Sequence, residues 1–305
     1  MEKNCQNSIT KVTVLRGGPD REHHISMQSG EAIVKCLKKI QNIQTVDYPF
    51  KNPEDINYKR LQGTIVFPAL HGSWGEGGYL QEKLENFKIK FIGSKSKSAK
   101  LAINKHLTKK IASQLKIQTP EWCLITNQES CPFEPPIILK PQTEGSSFGI
   151  ELVENKDDWS STLKRALTFS NSVIAERFIK GREFSVGFLI DKILNPIEII
   201  ADQKIYSYKA KYNSTKTTYI DTPEIDSKII KKMSKMTNNL LENIHARDVA
   251  RVDFLVNNEG PWFLEINSMP GFTRKSLLPK MALRDGLSFE TLCHNLIKTA
   301  KNRSS

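Results

Sequence analysis

Short apolar runs and amphipathic stretches take turns along the first third of the chain. Lys11 to Leu15, Gln44 to Asp47, Thr64 to Phe67 and Ile89 to Ile92 read as strands, while stretches from about Ser26 to Ile40 and near Tyr79 to Phe87 read as helices. That alternation predicts a parallel sheet wound with helices, in which ligands collect beyond the carboxyl ends of the strands. Those ends carry Arg16-Gly-Gly-Pro-Asp-Arg-Glu22 and His71-Gly-Ser-Trp-Gly-Glu-Gly-Gly78. Neither loop is the dinucleotide fingerprint or a Walker loop, so the usual nucleotide assignments fail.

Beyond Gly93 the pattern changes. A Lys-rich helix from about Ser98 to Leu115 is expected, then β-rich sequence with one helix near Asp157 to Thr168. Ile137-Ile-Leu-Lys-Pro141 reads as a strand that opens onto Gln142-Thr-Glu-Gly-Ser-Ser-Phe-Gly149, a small-residue loop whose amides and hydroxyls suit phosphate oxygens. A third unit starts near Arg182, with a Tyr/Lys-rich loop from Tyr206 to Tyr219 and a helix from about Ser227 to His245. The closing stretch has Phe289, Leu292, Cys293, Leu296 and Ile297 at helical spacing behind a Ser288 cap, which is packing rather than chemistry. The expected division is therefore 1–93, 94–181 and 182–305.

Polar and apolar residues alternate most strictly in Arg251-Val-Asp-Phe-Leu-Val256 and Trp262-Phe-Leu-Glu-Ile-Asn267, joined by Asn-Asn-Glu-Gly. With a three-residue loop of Asn258, Glu259 and Gly260, Asp253 falls opposite Glu265 and Arg251 opposite Asn267. Like charges facing across a hairpin are unfavourable, so a cation is expected between them. Oxygen ligands of this kind suit magnesium, which in turn suits a phosphate substrate. Set alone, such a pair is more simply a solvated outer face; the phosphate-binding features elsewhere favour the site.

The composition is that of an ordinary globular protein of 305 residues, enough for roughly two or three compact units. No apolar run approaches the ~20 residues of a membrane span. The start Met-Glu-Lys-Asn-Cys-Gln is polar and unlike a secretory leader, so a cytoplasmic protein with no membrane attachment is expected. Five cysteines, without a Cys-x-x-Cys pair, argue for free thiols over a disulfide framework or a zinc site. The net charge of +12 raises nucleic acid as a partner. Nine lysines between Lys88 and Lys116 come without one Asp or Glu, yet few aromatics accompany them and no nucleic-acid motif is present. Most of that segment reads as solvated surface, and no nucleic-acid partner is expected.

Taken in order, Glu22, His71-Gly72, Lys105, Lys140, Glu144-Gly-Ser-Ser-Phe-Gly149, Glu176-Arg-Phe-Ile179, Lys209-Ala-Lys-Tyr212, Arg251-Val-Asp253, Leu264-Glu-Ile-Asn-Ser-Met-Pro-Gly271 and Ser276-Leu277 make essentially the whole chain resemble the D-alanine:D-alanine ligases of the ATP-grasp superfamily. The resemblance implies an α/β protein with the ATP-grasp fold: an amino-terminal doubly wound parallel-sheet domain, then two α+β domains that clasp ATP. It implies ATP-dependent joining of two D-alanines through an acyl phosphate for peptidoglycan precursors, or, as the alternative, the same machinery with D-lactate or D-serine as second substrate. Lys105, Lys140 and Lys211 would meet the ATP phosphates, Ser147 the lid above them, and Glu176, Phe178, Ile179 and Glu183 the adenine and ribose. Asp253, Glu265 and Asn267 would carry two magnesium ions, with manganese as a substitute; a monovalent cation also belongs to the implied set.

By the same resemblance, Glu22 would bind the ammonium of the first D-alanine in a group with Ser146 and Tyr212. His71, Arg251, the Gly271 amide, Ser276 and Leu277 would surround the reacting carbonyl and the second carboxylate. The proton acceptor is left open among His71, the Tyr212 and Ser146 group, and phosphate. Tyr212 in Lys-Tyr form resembles the dipeptide-forming members and disfavours D-lactate. His24, Gly77 and Lys275 depart from the family pattern, which bears on substrate fine-tuning; a homodimer is implied as well.

Overall fold

The computed structural model describes residues 9–127, 130–145, 148–200 and 217–303. β1 (Thr10–Gly17), α1 (His23–Leu37), β2 (Ile43–Phe50), β3 (Ile65–Ala69), α2 (Ser73–Glu76), α3 (Tyr79–Asn86) and β4 (Lys90–Phe91) form a sheet in the order β2-β1-β3-β4. Every pairing in it is parallel. β3 is buried along its whole length, as a parallel strand covered on both faces must be. Because β2 and β3 flank β1, the loops after β1 and β3 leave at the point where the strand order reverses, which is where folds of this kind form their ligand crevice.

α4 (Ser96–Ile103) and α5 (Lys105–Gln114) lead into a second sheet. Its strands are β5 (Trp122–Ile125), β6 (Ile137–Pro141), β7 (Glu151–Val153) and β8 (Val173–Arg177), with α6 (Trp159–Ala166) against one face. The order is β5-β8-β6-β7, antiparallel throughout. Ile137, Leu139, Val153, Trp159, Leu163 and Val173 make its core.

Where one Lys-rich helix was expected from Ser98 to Leu115, the chain breaks at Asn104. Its backbone is extended (φ −84°, ψ 97°) and its side chain accepts the Leu107 amide at 3.0 Å, so Asn104 ends α4 and caps α5. The helical pattern carries through the break because Asn interrupts neither the apolar spacing nor the lysine run.

The third sheet comprises β9 (Arg182–Leu189), β10 (Lys192–Ile193), β11 (Ile197–Ile200), β12 (Thr218–Ile220), β13 (Val249–Asn257) and β14 (Gly260–Asn267). Its order is β12-β11-β9-β13-β14, with β10 on β9. α7 (Ser227–Asn243) covers one face with Met233, Met236 and Leu240, packed with Phe254 and Phe263, whose rings meet edge to face at 6.3 Å. Each such fully buried side chain is worth roughly 1.5–3 kcal/mol. α8 (Leu277–Arg284) and α9 (Phe289–Asn302) join one continuous core with Val12, Ile33, Phe67 and Leu189, so the closing helices tie the third sheet to the first.

The hairpin at Asn257 to Gly260 differs from expectation in its turn and agrees in its register. Asn257 pairs with Gly260 and Phe254 with Phe263, so the turn holds two residues; then Asp253 pairs with Glu265, which makes Leu264 the extra residue of a β-bulge. The shorter turn and the bulge offset each other. Asp253 faces Glu265 and Arg251 faces Asn267 after all.

Candidate active site

The crevice is built first from the two loops of the parallel sheet. Asp20, after β1, accepts the amides of Trp74 at 3.1 Å and Gly75 at 3.1 Å, and so caps α2 from the neighbouring loop. Gly72 adopts φ +100°, and a Cβ there would lie 2.4 Å from that of Asp20, so the approach needs glycine. Burial pushes the Asp20 carboxyl up, opposed by the Trp74 and Gly75 amides.

His71, at the end of β3, is buried and held on three sides. Its amide donates to Ser26 Oγ at 3.0 Å, Nε2 lies 3.1 Å from Ser29 Oγ, and Nδ1 lies 3.3 Å from Glu76 Oε1. Glu76 is itself raised by burial, opposed chiefly by its hydrogen bond to His71. Ser29 Oγ also accepts the Phe272 amide at 3.4 Å, linking His71 to the turn that contains Gly271. In that turn Ser276 Oγ accepts the Thr273 amide at 3.0 Å, and a Cβ on Gly271 would come within 2.8 Å of it. Ser276 precedes α8, whose first residue, Leu277, is buried. Thus His71, Gly271, Ser276 and Leu277 are brought together. Ser26, Ser29 and Glu76 escaped the sequence reading; the legible signal was two serines three apart on the otherwise apolar face of α1.

Glu22 lies buried immediately before α1, where its carbonyl accepts the Ser26 amide at 3.0 Å. Gly145 stands close by, since a Cβ on it would be 3.5 Å from Glu22 Oε2. The small-residue loop therefore reaches across to the first sheet. Lys105 Nζ donates to the Glu144 carbonyl at 2.5 Å and lies 3.4 Å from Glu265 Oε2, joining that loop to the hairpin. Ser146, Ser147, Lys211 and Tyr212 lie outside the described residues.

Asp253 is buried under two donors. Arg251 meets it through Nε at 2.9 Å and Nη2 at 3.0 Å, and Ser185 Oγ donates to Oδ1 at 2.5 Å. Glu265 is partly open, and Asn267 Oδ1 accepts the Met269 amide at 3.0 Å. This face is no solvated exterior. Opposed carboxylates with an amide oxygen beside them are the kind of oxygen donors that magnesium takes, so the residue types fit a divalent ion, which would share Asp253 with Arg251 and Glu265 with Lys105.

Behind Lys105 lies a denser cluster. Glu176 sits between two ammonium groups, Lys109 Nζ at 2.8 Å from Oε1 and Lys140 Nζ at 2.8 Å from Oε2. Burial would raise Glu176, but Lys109 and Lys140 outweigh it and hold the carboxyl below its usual range. Lys140 stays above its ordinary value against burial because of its contact with Glu176, helped by the negative charges of Glu265 and Glu183. Phe178 and Ile179 follow β8 directly and are half-buried, and Glu183 lies on β9. Lys109 belongs to the segment read from sequence as solvated surface; instead its side chain is 0% exposed. Only its spacing, four residues after Lys105 on one helix, hinted that both point the same way.

The family model described as D-ala D-ala ligase C-terminus matches residues 111–298. A D-alanine--D-alanine ligase of Vesicomyosocius okutanii subsp. Calyptogena okutanii (strain HA) is 35% identical over 292 residues, covering 94% of this chain and 99% of that one. A solved D-alanine--D-alanine ligase from Bacillus anthracis, complexed with ATP, matches with a TM-score of 0.84 at 27% identity, over 96% of this chain and 97% of that one. The VanG D-Ala:D-Ser ligase from Enterococcus faecalis shares the fold, with a TM-score of 0.84 at 24% identity over 95% of this chain and 99% of that one.

Proposed function

The chain belongs to the D-alanine–D-alanine ligase family and has its ATP-grasp fold, and on that premise we propose that it joins two D-alanines at the expense of ATP for peptidoglycan precursors. Terminal phosphoryl transfer from ATP to the first D-alanine carboxylate gives an acyl phosphate and ADP. The amine of the second D-alanine then attacks the acyl carbon, its C–O bond to phosphate breaks, and phosphate leaves as the nitrogen loses a proton.

The observation that carries this reading is the convergence of Lys105 and Lys140 with the carboxylates Glu176, Glu183 and Glu265, beside the loops that hold Glu22 and His71. Lysine ammonium groups in that position counter the charge on a transferring phosphoryl group. By the family resemblance, Lys211 and Ser147 would be further contacts for the ATP phosphates. Glu176, Phe178, Ile179 and Glu183 line the adenine and ribose end. Asp253, Glu265 and Asn267 would hold two magnesium ions, or manganese, which neutralise phosphate charge when bound. Arg251 and the Gly271 amide face the oxyanion of the tetrahedral intermediate, while Glu22, with Ser146 and Tyr212, takes the ammonium of the first D-alanine. Ser276 and Leu277 close the pocket of the second.

The division into 1–93, 94–181 and 182–305, a homodimer, a monovalent-cation requirement and a cytoplasmic location complete the reading. Among the described residues no helix is long and apolar enough to cross a membrane. Phosphate release from ATP with a panel of D- and L-amino acids and D-lactate tests it. D-alanine alone should support release; dependence on added D-serine or D-lactate as second substrate would replace it with the alternative, and release with L-amino acids only would reject it.

A further inference from the structure

We propose that Lys109 is a positioning residue for ATP, holding Glu176 and through it the Lys140 ammonium in the place from which a polyphosphate is met. The inference rests on the ATP reading above and adds to it a residue that touches no ligand. Side-chain exposure orders the cluster from inside outward: Lys109 0%, Glu176 2%, Lys140 13%. Of the three, only Lys140 keeps appreciable exposure. The two inner members are there to hold the outer one.

Lys109 is fixed from several directions. Its Nζ donates to Thr119 Oγ1 at 2.7 Å, and Thr119 in turn donates to the Phe263 carbonyl at 2.8 Å, on the strand that carries Glu265. The rings of Trp122 and Phe263 flank the ammonium at 5.8 and 6.0 Å, within the range of a cation–π contact. One ammonium thus spans α5, β8 and β14 and sets the spacing between Glu176 and the carboxylate hairpin. Lysine side chains lose much rotamer freedom when held, and a carboxylate already in place removes that cost before the nucleotide arrives. With Lys109 gone, Glu176 Oε1 would be a buried carboxylate oxygen without its counter-ion, and the carboxylate would turn or take up a proton. Lys140 would then lose its anchor. Burial in this setting lowers the Lys109 pKa to about 8, opposed chiefly by Glu176, so the ammonium form still predominates at neutral pH.

The test is a mutant cycle of Lys109→Met, Glu176→Gln and the double variant, read by calorimetric ATP binding, KM for ATP and for D-alanine, and kcat at saturating ATP. Lys109→Met should weaken ATP binding by roughly tenfold or more, with kcat and the D-alanine KM changing much less. The double variant should bind ATP as Glu176→Gln alone does, because Lys109 has nothing left to hold. Unchanged ATP affinity in folded Lys109→Met, or losses that multiply in the double variant, would overturn the role. Should Lys109→Met fail to fold, Thr119→Val removes one anchor and keeps the charges; a smaller loss of ATP affinity supports the proposal, and wild-type affinity contradicts it. Binding is read without turnover. A wild type that binds ATP but ligates no D-amino acid would reject the proposed reaction while the variants still judge Lys109, and one that binds no ATP would reject both.

Discussion

At the scale of single residues, charge is placed where burial makes it costly, and the buried Lys109, Glu176, Arg251 and Asp253 each meet an opposite charge. Arg251 and Asp253 are the sharpest case, a bidentate pair beneath the proposed reaction centre. We predict two separable effects of Arg251→Met. Turnover per folded molecule falls by roughly a hundredfold or more from loss of an oxyanion donor. The melting temperature falls too, because breaking a buried pair costs about 3–5 kcal/mol. Normal turnover per folded molecule would leave Arg251 only the structural task of holding Asp253. Asp253→Asn and Glu265→Gln should each nearly abolish turnover, since oxygen ligands for the divalent ion are lost; steady-state rates with ample magnesium decide it, and substantial activity in both variants rejects the metal assignment. Lys109 supplies a pH dependence. Its ammonium titrates at about 8 in the folded protein against the ordinary 10.5, so between those values the unfolded chain binds more protons and this group's contribution to stability grows as pH rises. Unfolding free energies of wild type and Lys109→Met should therefore diverge in favour of wild type from about pH 8 upward, and parallel curves would count against the burial of a titrating ammonium.

At the scale of elements, the parallel sheet, its two site loops and the facing carboxylates of the hairpin were readable because each rests on a local rule: alternating elements, strand-end loops, period-two polarity. What the pattern missed depends on contacts made at a distance. The break at Asn104 is invisible to helical periodicity, yet it turns Lys105 and Lys109 into the first turns of a new helix capped by Asn104, which also accepts Gln142 Nε2 at 3.1 Å from the start of the small-residue loop. Asn104→Ala should lower stability by about 1 kcal/mol for the lost cap, and should raise the KM for ATP by loosening Lys105 against that loop. Denaturant unfolding with ATP kinetics measures both, and an unchanged KM would mean that the cap serves folding alone. The hairpin register came out as expected through two local differences that offset each other, a two-residue turn and the bulge at Leu264. A lysine run is usually solvated, so Lys109 reads as surface; its burial is set by Glu176, far away in sequence, and by Thr119, a short way beyond the end of α5.

At the scale of the whole molecule, three sheets converge on one crevice: loops of the parallel sheet supply Glu22 and His71, the second sheet supplies Lys140 and Glu176, and the third supplies Arg251, Asp253, Glu265 and Asn267. Glu144 and Gly145 bridge the first two, with Lys105 extending the contact to the hairpin. Such convergence suits a reaction whose intermediate must be made from one pair of reactants and consumed by another without meeting water. The central claim is that the carboxylate of the first D-alanine becomes an acyl phosphate within this crevice. Ligation of D-alanine carrying 18O in its carboxylate tests it most directly, with mass spectrometry of the phosphate and dipeptide formed. Transfer of one labelled oxygen into phosphate for each D-alanyl-D-alanine made is the predicted result, whereas dipeptide formed with unlabelled phosphate, or ATP cleaved without dipeptide, would contradict it.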